Sequence, residues 1–290
     1  MKPADIKKNL EEVIDLLAHN PYPYLSHPDK DFTRKRKLHF KTIIEMIMGM
    51  GGGSLSKEIF KWFDYAEDTV SVSAFVQQRN KIKYEALNFI FKTMVNRCDK
   101  HLLFNGYRLF AIDGSDLRLP TNKTDPFSFI KNDDETKGYN LLHLDTLYDL
   151  LQHVYIDASI QSKIGMNEHK ALVNMIDRSD ISDKVIVIAD RGYESFNNIA
   201  HFQEKGWHYI IRSKESYGIK YTTPDADTFD IDTTITLTRR QTKETRALME
   251  KNPEKYRWIH PHTTFDYIHP RENKMYDLPI RIVRIKISDT

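Results

Sequence analysis

Two aspartates stand at the ends of runs that read as strands. In FAIDGSD the apolar residues 110–112 lead to Asp113. In VIVIADRGYES the β-branched Val185, Ile186, Val187 and Ile188 lead through Ala189 to Asp190. An apolar run without alternation is the pattern of a strand covered on both faces. A carboxylate at the end of such a strand has a rigid support, at the edge where open α/β sheets hold ligands. Asp is also a preferred helix cap, and the residues after Asp190 fit that reading equally. Two carboxylates a few ångströms apart repel unless a cation neutralises them. Hard oxygen ligands favour Mg2+ or Mn2+, and two such ions roughly 3.5–4 Å apart can activate an attacking oxygen and stabilise a leaving one in phosphodiester chemistry.

The elements around these residues decide whether the two can meet. YRLFAIDGSD reads as a strand that ends at Asp113 in a Gly turn, followed by a loop, LPTNKTDPFSFIKNDDETKG. YNLLHLDTLYD and LLQHVYIDASI read as two strands paired across a turn near Asp149. Asn167 opens a helix with Ala171, Leu172, Met175 and Ile176 inward, then come the Asp190 strand, a helix (YESFNNIAHFQEKG) and a strand (WHYIIRSK). Three meandering strands followed by parallel ones match the start of the RNase H-like fold, and the crossovers place the first and fourth strands side by side. Residues 217–290 read as a separate β-rich piece.

Upstream the period is helical. Residues 3–19 form an amphipathic pattern with Ile6, Leu10, Val13, Leu16 and Leu17 on one face. NPYPYLSHP is a loop, because three prolines in nine residues forbid helix. RKRK (34–37) leads into a second helix, LHFKTIIEMIMGM, which GMGGGS interrupts. Ser54 caps a third, and Ser71 or Ser73 a fourth, long one over residues 71–95, with Phe75, Ile82, Leu87, Ile90 and Phe91 inward and Arg79, Lys81 and Lys83 on its charged face. A helix, a short turn and a longer basic helix resemble a helix-turn-helix reader of DNA; a helical bundle with a solvated basic face has the same pattern.

Composition is that of an ordinary soluble chain: 290 residues, 40% hydrophobic, 29% charged, net charge +2. The charge is unevenly spread, +4 over residues 1–104, −4 over 105–216 and +2 over 217–290. A carboxylate-rich middle between basic flanks suits a metal site served by polyanion-binding modules. The single cysteine, Cys98, excludes an internal disulfide and a thiolate metal cluster. The start, MKPADIKKNLEEVIDLL, is charged rather than a signal peptide, and no apolar run reaches spanning length, so the expected setting is a reducing cytoplasm.

AIDGSDLRLP, IADRGYES and the strand in YIIRSK together resemble the DDE transposases of bacterial insertion sequences, of the insertion sequence four (IS-four) group, and LHFKTIIEMIMGMGGGSLSKEIFKWF and SVSAFVQQRNKI resemble that group's helical DNA-binding region. The resemblance implies an α/β chain with a helical DNA-binding domain (1–104), an RNase H-like catalytic domain (105–216) and a β-rich insertion (217–290). It implies Asp113 and Asp190 as catalytic metal ligands for a pair of Mg2+ or Mn2+ ions that cut DNA and join transposon ends to a target. It also implies double-stranded DNA as partner, a homo-oligomer on DNA, a DNA-associated bacterial cytoplasmic setting, and no nucleotide cofactor. The group's third acidic residue is a Glu in the pattern Tyr-x2-Arg-x3-Glu-x6-Lys, on a helix beyond the insertion. The nearest match is Arg246, Glu250 and Arg257, with Lys243 where Tyr is required. Such spacings are common on exposed helices. The expectation is therefore a truncated transposase that lacks the C-terminal catalytic helix and is inactive alone; the alternative is a non-catalytic DNA-binding remnant that competes with a full-length enzyme.

Other constellations are weaker. Glu194 is expected one turn into a helix, where acidic residues favour the dipole in preference to serving as an extra ligand. Glu168 and His169 read as a solvated helix start in preference to metal ligands, and Asp145 and Asp157, either of which could approach the site from the central strand pair, as turn-facing surface positions. Arg191, Arg212 and Lys214 lie near the expected active edge as phosphate contacts or ion-pair partners. The twelve histidines show no HExxH or paired His/Cys spacing, which argues against a zinc site. Ser115 lacks a GxSxG elbow, so hydrolase chemistry is not supported.

Overall fold

Serine caps start two of the helices in the first 100 residues, as serine's side-chain chemistry predicts. The structure, a computed structural model, describes residues 3–34, 36–97, 102–131, 137–213 and 222–287. Lys35, Cys98, Lys214 and the 132–136 part of the expected loop lie outside the described residues. Residues 1–101 and 102–290 form two units.

The first unit contains α1 (Pro3–His19), α2 (Phe40–Gly49), α3 (Leu55–Trp62), α4 (Val72–Arg79) and α5 (Glu85–Asn96). Ser54 and Ser71 cap α3 and α4, each accepting a backbone N–H with its hydroxyl. Val13, Ile14 and Leu17 of α1 pack on Phe40 and Ile44 of α2 and on Ala86 and Ile90 of α5. A second cluster joins Leu38, Ile43, Met46, Ile59 and Phe75. Ile6, Leu16 and Leu87, expected inward, are exposed; Leu16 lies one residue off the 10, 13, 14, 17 stripe.

The expected long fourth helix is two helices. Between α4 and α5 the chain runs extended: Ile82 bridges Leu25, the Lys81 carbonyl accepts from Ser26 N at 2.9 Å, and Lys83 N donates to the Tyr24 carbonyl at 2.8 Å. Tertiary pairing supplies the backbone partners that a continuous helix would have found within itself. Arg79, Lys81 and Lys83 therefore do not line one helix face, and α4 is no longer than α3.

The second unit is built on a mixed sheet of β1 (Arg108–Leu119), β2 (Phe129–Ile130), β3 (Tyr139–Asp149), β4 (Val154–Ser162), β5 (Val185–Ala189) and β6 (His208–Ile211), with α6 (Glu168–Asp177) after β4 and α7 (Phe196–Lys205) after β5. The order is β2-β3-β1-β5-β6, with β4 also on β3. β1, β3 and β4 pair antiparallel, and β1, β5 and β6 pair parallel. The meander followed by parallel strands is thus present. β1 does not stop at Asp113: residues 114–119 continue to pair with residues 140–145 of β3 after β5 has ended.

A second sheet, β8-β7-β9, follows from β7 (Phe229–Thr238), β8 (Tyr256–Trp258) and β9 (Met275–Arg284), with α8 (Lys243–Lys251) between β7 and β8. Its core, Ile235, Leu237, Ile259, Phe265, Ile268, Leu278 and Ile280, packs on Ala200 of α7. Asn197 of α7 donates to the Asp266 carboxylate at 2.9 Å and accepts from its N–H at 2.8 Å, which ties the two sheets through one helix.

Candidate functional site

Strand pairing decides where the two aspartates lie. In the parallel ladder Phe110 faces Val187 and Ala111 faces Ile188. Asp113 and Asp190 each lie two residues beyond this last pair, Asp190 just past the end of β5. Neighbouring strands run about 4.8 Å apart, and residues at matching positions share a face. Both carboxylates are exposed. Asp113 accepts from Gly114 N at 2.8 Å, and Asp190 accepts from Gly192 N at 2.7 Å. The second bond is the capping interaction read from the sequence, made here to a single 3-10 turn, Arg191–Tyr193. These donor bonds orient the carboxylates. Exposed carboxylates at the ends of neighbouring parallel strands offer the hard oxygen donors that a hydrated divalent ion takes, and so fit the implied metal.

Arg191 follows Asp190 directly, and Arg212 N donates to the Ala189 carbonyl at 3.3 Å, so both exposed arginines stand at the same end of the parallel strands as Asp190. Glu194 precedes α7 rather than lying within it, and its carboxylate accepts from the Ser213 hydroxyl at 2.8 Å. Arg246 and Glu250 lie on the exposed surface of α8, where Arg246 donates to Gln241.

The opposite face of the same strands holds a second group of polar residues. Gly114 pairs with Asp145 and Asp116 with His143, so these four share the face that Asp113 leaves. Asp145 is fully buried and His143 only 3% exposed, against the expectation of a surface position for Asp145. The reason is β3's place between β1 and β4, with α6 packed on both β3 and β4. Glu168, in the first turn of α6, is likewise not a solvated helix start: its Oε1 lies 3.1 Å from His143 Nε2. Asp145 Oδ1 lies 3.4 Å from the same nitrogen. His143 Nδ1 faces Asp116 Oδ1 at 2.8 Å, and Lys163 Nζ reaches that oxygen at 2.8 Å. The His143 imidazole and then Lys163 hold the Asp116 carboxyl below the usual carboxylate range. Asp157, also expected at the surface, is 4% exposed and accepts from Arg178 Nε at 2.7 Å. His169 Nδ1 accepts from Asn198 at 2.8 Å.

Tyr193, 2% exposed, lies close to both groups. Burial, and after it the charges of Glu168, Asp145, Asp113 and Asp190, push its hydroxyl well above the usual tyrosine range. The local signal for the His143 group was present in HLD, where i and i+2 on a strand share a face, but only the fold brings Glu168 over them.

In the first unit, a cleft of about 350 Å3 is lined by Asp29 and by four cations, Lys30, Arg34, Arg36 and Lys81, around Phe32. Lys81 Nζ stands 5.7 Å from the Phe32 ring centroid and donates to Gln78. Arg79 and Lys83 are exposed, and Lys83 Nζ donates to the Pro23 carbonyl at 3.3 Å. Among the described residues no helix is long and apolar enough to cross a membrane.

Residues 104–246 match the sequence model of the family described as "Transposase DDE domain". No curated protein matches the chain. Among solved structures, the chain is similar to the piggyBac transposase in a synaptic complex with hairpin DNA, at 11% identity and a TM-score of 0.33, over 80% of this chain and 47% of that one. It thus spans about half the length of that protein. It is also similar to the Mos1 transposase in a paired-end complex with the left transposon end, at 10% identity and a TM-score of 0.24, over 73% of this chain and 79% of that one.

Proposed function

We propose that this chain acts as a DDE-type transposase of the insertion sequence four group, binding DNA ends for metal-dependent strand cleavage and joining, with Asp113 and Asp190 as metal-binding catalytic residues on an RNase H-like sheet and the group's third acidic ligand left unassigned. The reading is supported by the parallel pairing of β1 with β5, two strands that lead to exposed Asp113 and Asp190, inside the stretch that matches the DDE domain.

Divalent ions, Mg2+ or Mn2+, held by Asp113 and Asp190 would supply activation of an attacking oxygen and stabilisation of the leaving one. The chain's own residues do the rest. The N–H groups of Gly114 and Gly192 keep the two carboxylates from turning away. Arg191 and Arg212 stand at the same strand ends, where guanidinium groups suit phosphate oxygens. The cationic cleft of the helical unit, with Lys30, Arg34, Arg36 and Lys81, serves duplex DNA as a sequence-independent phosphate contact.

The test is a purified full chain, Mn2+ or Mg2+, and a supercoiled plasmid bearing the DNA that flanks the gene on both sides. Nicking and joining should require the metal and fall by several orders of magnitude in Asp113→Asn and in Asp190→Asn, since each removes a term worth several kcal/mol at about 1.4 kcal/mol per tenfold. Activity that persists in both variants would overturn the assignment. Specific binding to the flanking DNA without cleavage would favour a non-catalytic end binder.

A further inference from the structure

We propose that His143, Asp145 and Glu168 form a second, separate metal site that takes one divalent transition-metal ion, Zn2+ or Mn2+, on the face of the sheet opposite Asp113 and Asp190. The ion would pin the start of α6 to β3, directly beneath Gly114.

The geometry fits an ion before one is added. Donors about 2.1 Å from a tetrahedral ion lie about 3.4 Å from one another. His143 Nε2 is 3.1 Å from Glu168 Oε1 and 3.4 Å from Asp145 Oδ1, and one donor atom from each residue falls within 4.8 Å of the others. Despite these distances His143 Nε2 makes no hydrogen bond to either carboxylate, and among the described residues Asp145 Oδ1 has no hydrogen-bond partner. Both atoms are buried, on residues 3% and 0% exposed. The Tyr193 hydroxyl, also buried and without a hydrogen-bond partner among the described residues, lies close enough to Glu168 and Asp145 to feel their charges. Unpartnered buried polar atoms from separate elements converging on one point call for a ligand.

The surroundings prepare the donors. Asp116 Oδ1 lies 2.8 Å from His143 Nδ1, and the tautomer with its proton on Nδ1 would leave Nε2 free to hold an ion between the two carboxylates. A carboxylate behind a ligating histidine fixes its tautomer and raises its basicity. Gln161 Nε2 donates to Asp145 Oδ2 at 2.7 Å and turns Oδ1 toward His143. One imidazole with two carboxylates suits Zn2+ or Mn2+, whereas Mg2+ and Ca2+ take oxygen sets. Gly114 completes the site: a Cβ there would stand 2.6 Å from His143 Nε2 and 3.1 Å from Glu168 Oε1, in the space the donors occupy.

The site is tested by metal content, independently of any transposition activity. The full chain is loaded with Zn2+ or, separately, Mn2+, passed through gel filtration and assayed by elemental mass spectrometry, with affinity from chelator competition. One tightly held equivalent is expected in the wild type and in the Asp113→Asn/Asp190→Asn double variant. Glu168→Gln and His143→Gln should lose that equivalent. Asp116→Asn should bind about 10- to 100-fold more weakly, as for other partners of a ligating histidine. Glu168 is 36% exposed, so its variant folds even if that of buried His143 does not. A folded wild type that retains no ion, an ion retained undiminished by Glu168→Gln, or an ion lost only in the double variant would each overturn the proposal. The last result would assign the metal to Asp113 and Asp190 and leave the function proposed above intact.

Discussion

Gly114→Ala probes both faces of β1 at once. The residue follows Asp113, and its Cα faces the His143 group. An added Cβ would meet His143 Nε2 at 2.6 Å, Cε1 at 2.9 Å and Glu168 Oε1 at 3.1 Å. Carbon contacts settle at about 3.5–4.0 Å, so the imidazole must retreat by roughly an ångström. It cannot do so freely, because Asp116 holds its Nδ1 and the residue is 3% exposed. Overpacking of this kind costs about 1–3 kcal/mol. For a unit of this size the loss is about 2–4 °C in Tm per kcal/mol, giving a drop of about 2–12 °C. Thermal unfolding followed by near-UV circular dichroism measures it, with exposed Ser115→Ala as a control expected within about 0.5 kcal/mol of wild type. Adding His143→Ala removes the collision, so the double variant should be more stable than the sum of the two single losses predicts. A Gly114→Ala protein with unchanged Tm, or strict additivity with His143→Ala, would refute the placement of His143 beneath this glycine.

Three further outcomes follow from the structure. Arg108 (4% exposed) donates to Asp149 (0% exposed) at 3.0 and 3.2 Å, so Arg108→Met should lose about 3–5 kcal/mol in urea unfolding. Arg108→Met/Asp149→Asn should recover part of this, because the amide oxygen still accepts from the N–H groups of Leu151 and Gln152. Burial raises the Asp266 carboxyl, but hydrogen bonds from Asn197 and His201 more than offset it, and its pKa lies below the ordinary value. A depressed folded pKa contributes stability above the unfolded value of about 3.9 and loses it as pH falls through the folded one; Asp266→Asn should therefore flatten the acid limb of the unfolding midpoint below about pH 4. Finally, Arg36→Ala and Lys81→Ala should weaken duplex DNA binding without changing sequence preference, each lowering the slope of log K against log salt by about 0.9; an unchanged slope would remove the cleft from the DNA contacts.

Much of the scaffold was legible from local chemistry. Ser54, Ser71 and Asn167 announced three helix starts, because a short side-chain oxygen is the partner that a free N-terminal N–H needs. The apolar run 185–188 announced a strand covered on both faces, and the alternation of strands and helices predicted β5 as the parallel neighbour of β1. That order alone made neighbours of β1, which carries Asp113, and β5, which ends one residue before Asp190. What local pattern could not contain was competition between distant segments. Residues 80–84 have helical residues on both sides, yet they pair with residues 24–26, and a backbone partner 57 residues away in sequence overrides propensity. Gly114 looked like a turn because glycine usually is one; β3 runs on beside it, and the space that glycine leaves is filled by His143. Asp145 and Glu168 looked like surface residues because carboxylates usually are. They are drawn toward His143 because β3 is enclosed by β1 and β4 and α6 begins above it, and burial of a charge is a property of that enclosure rather than of the residue.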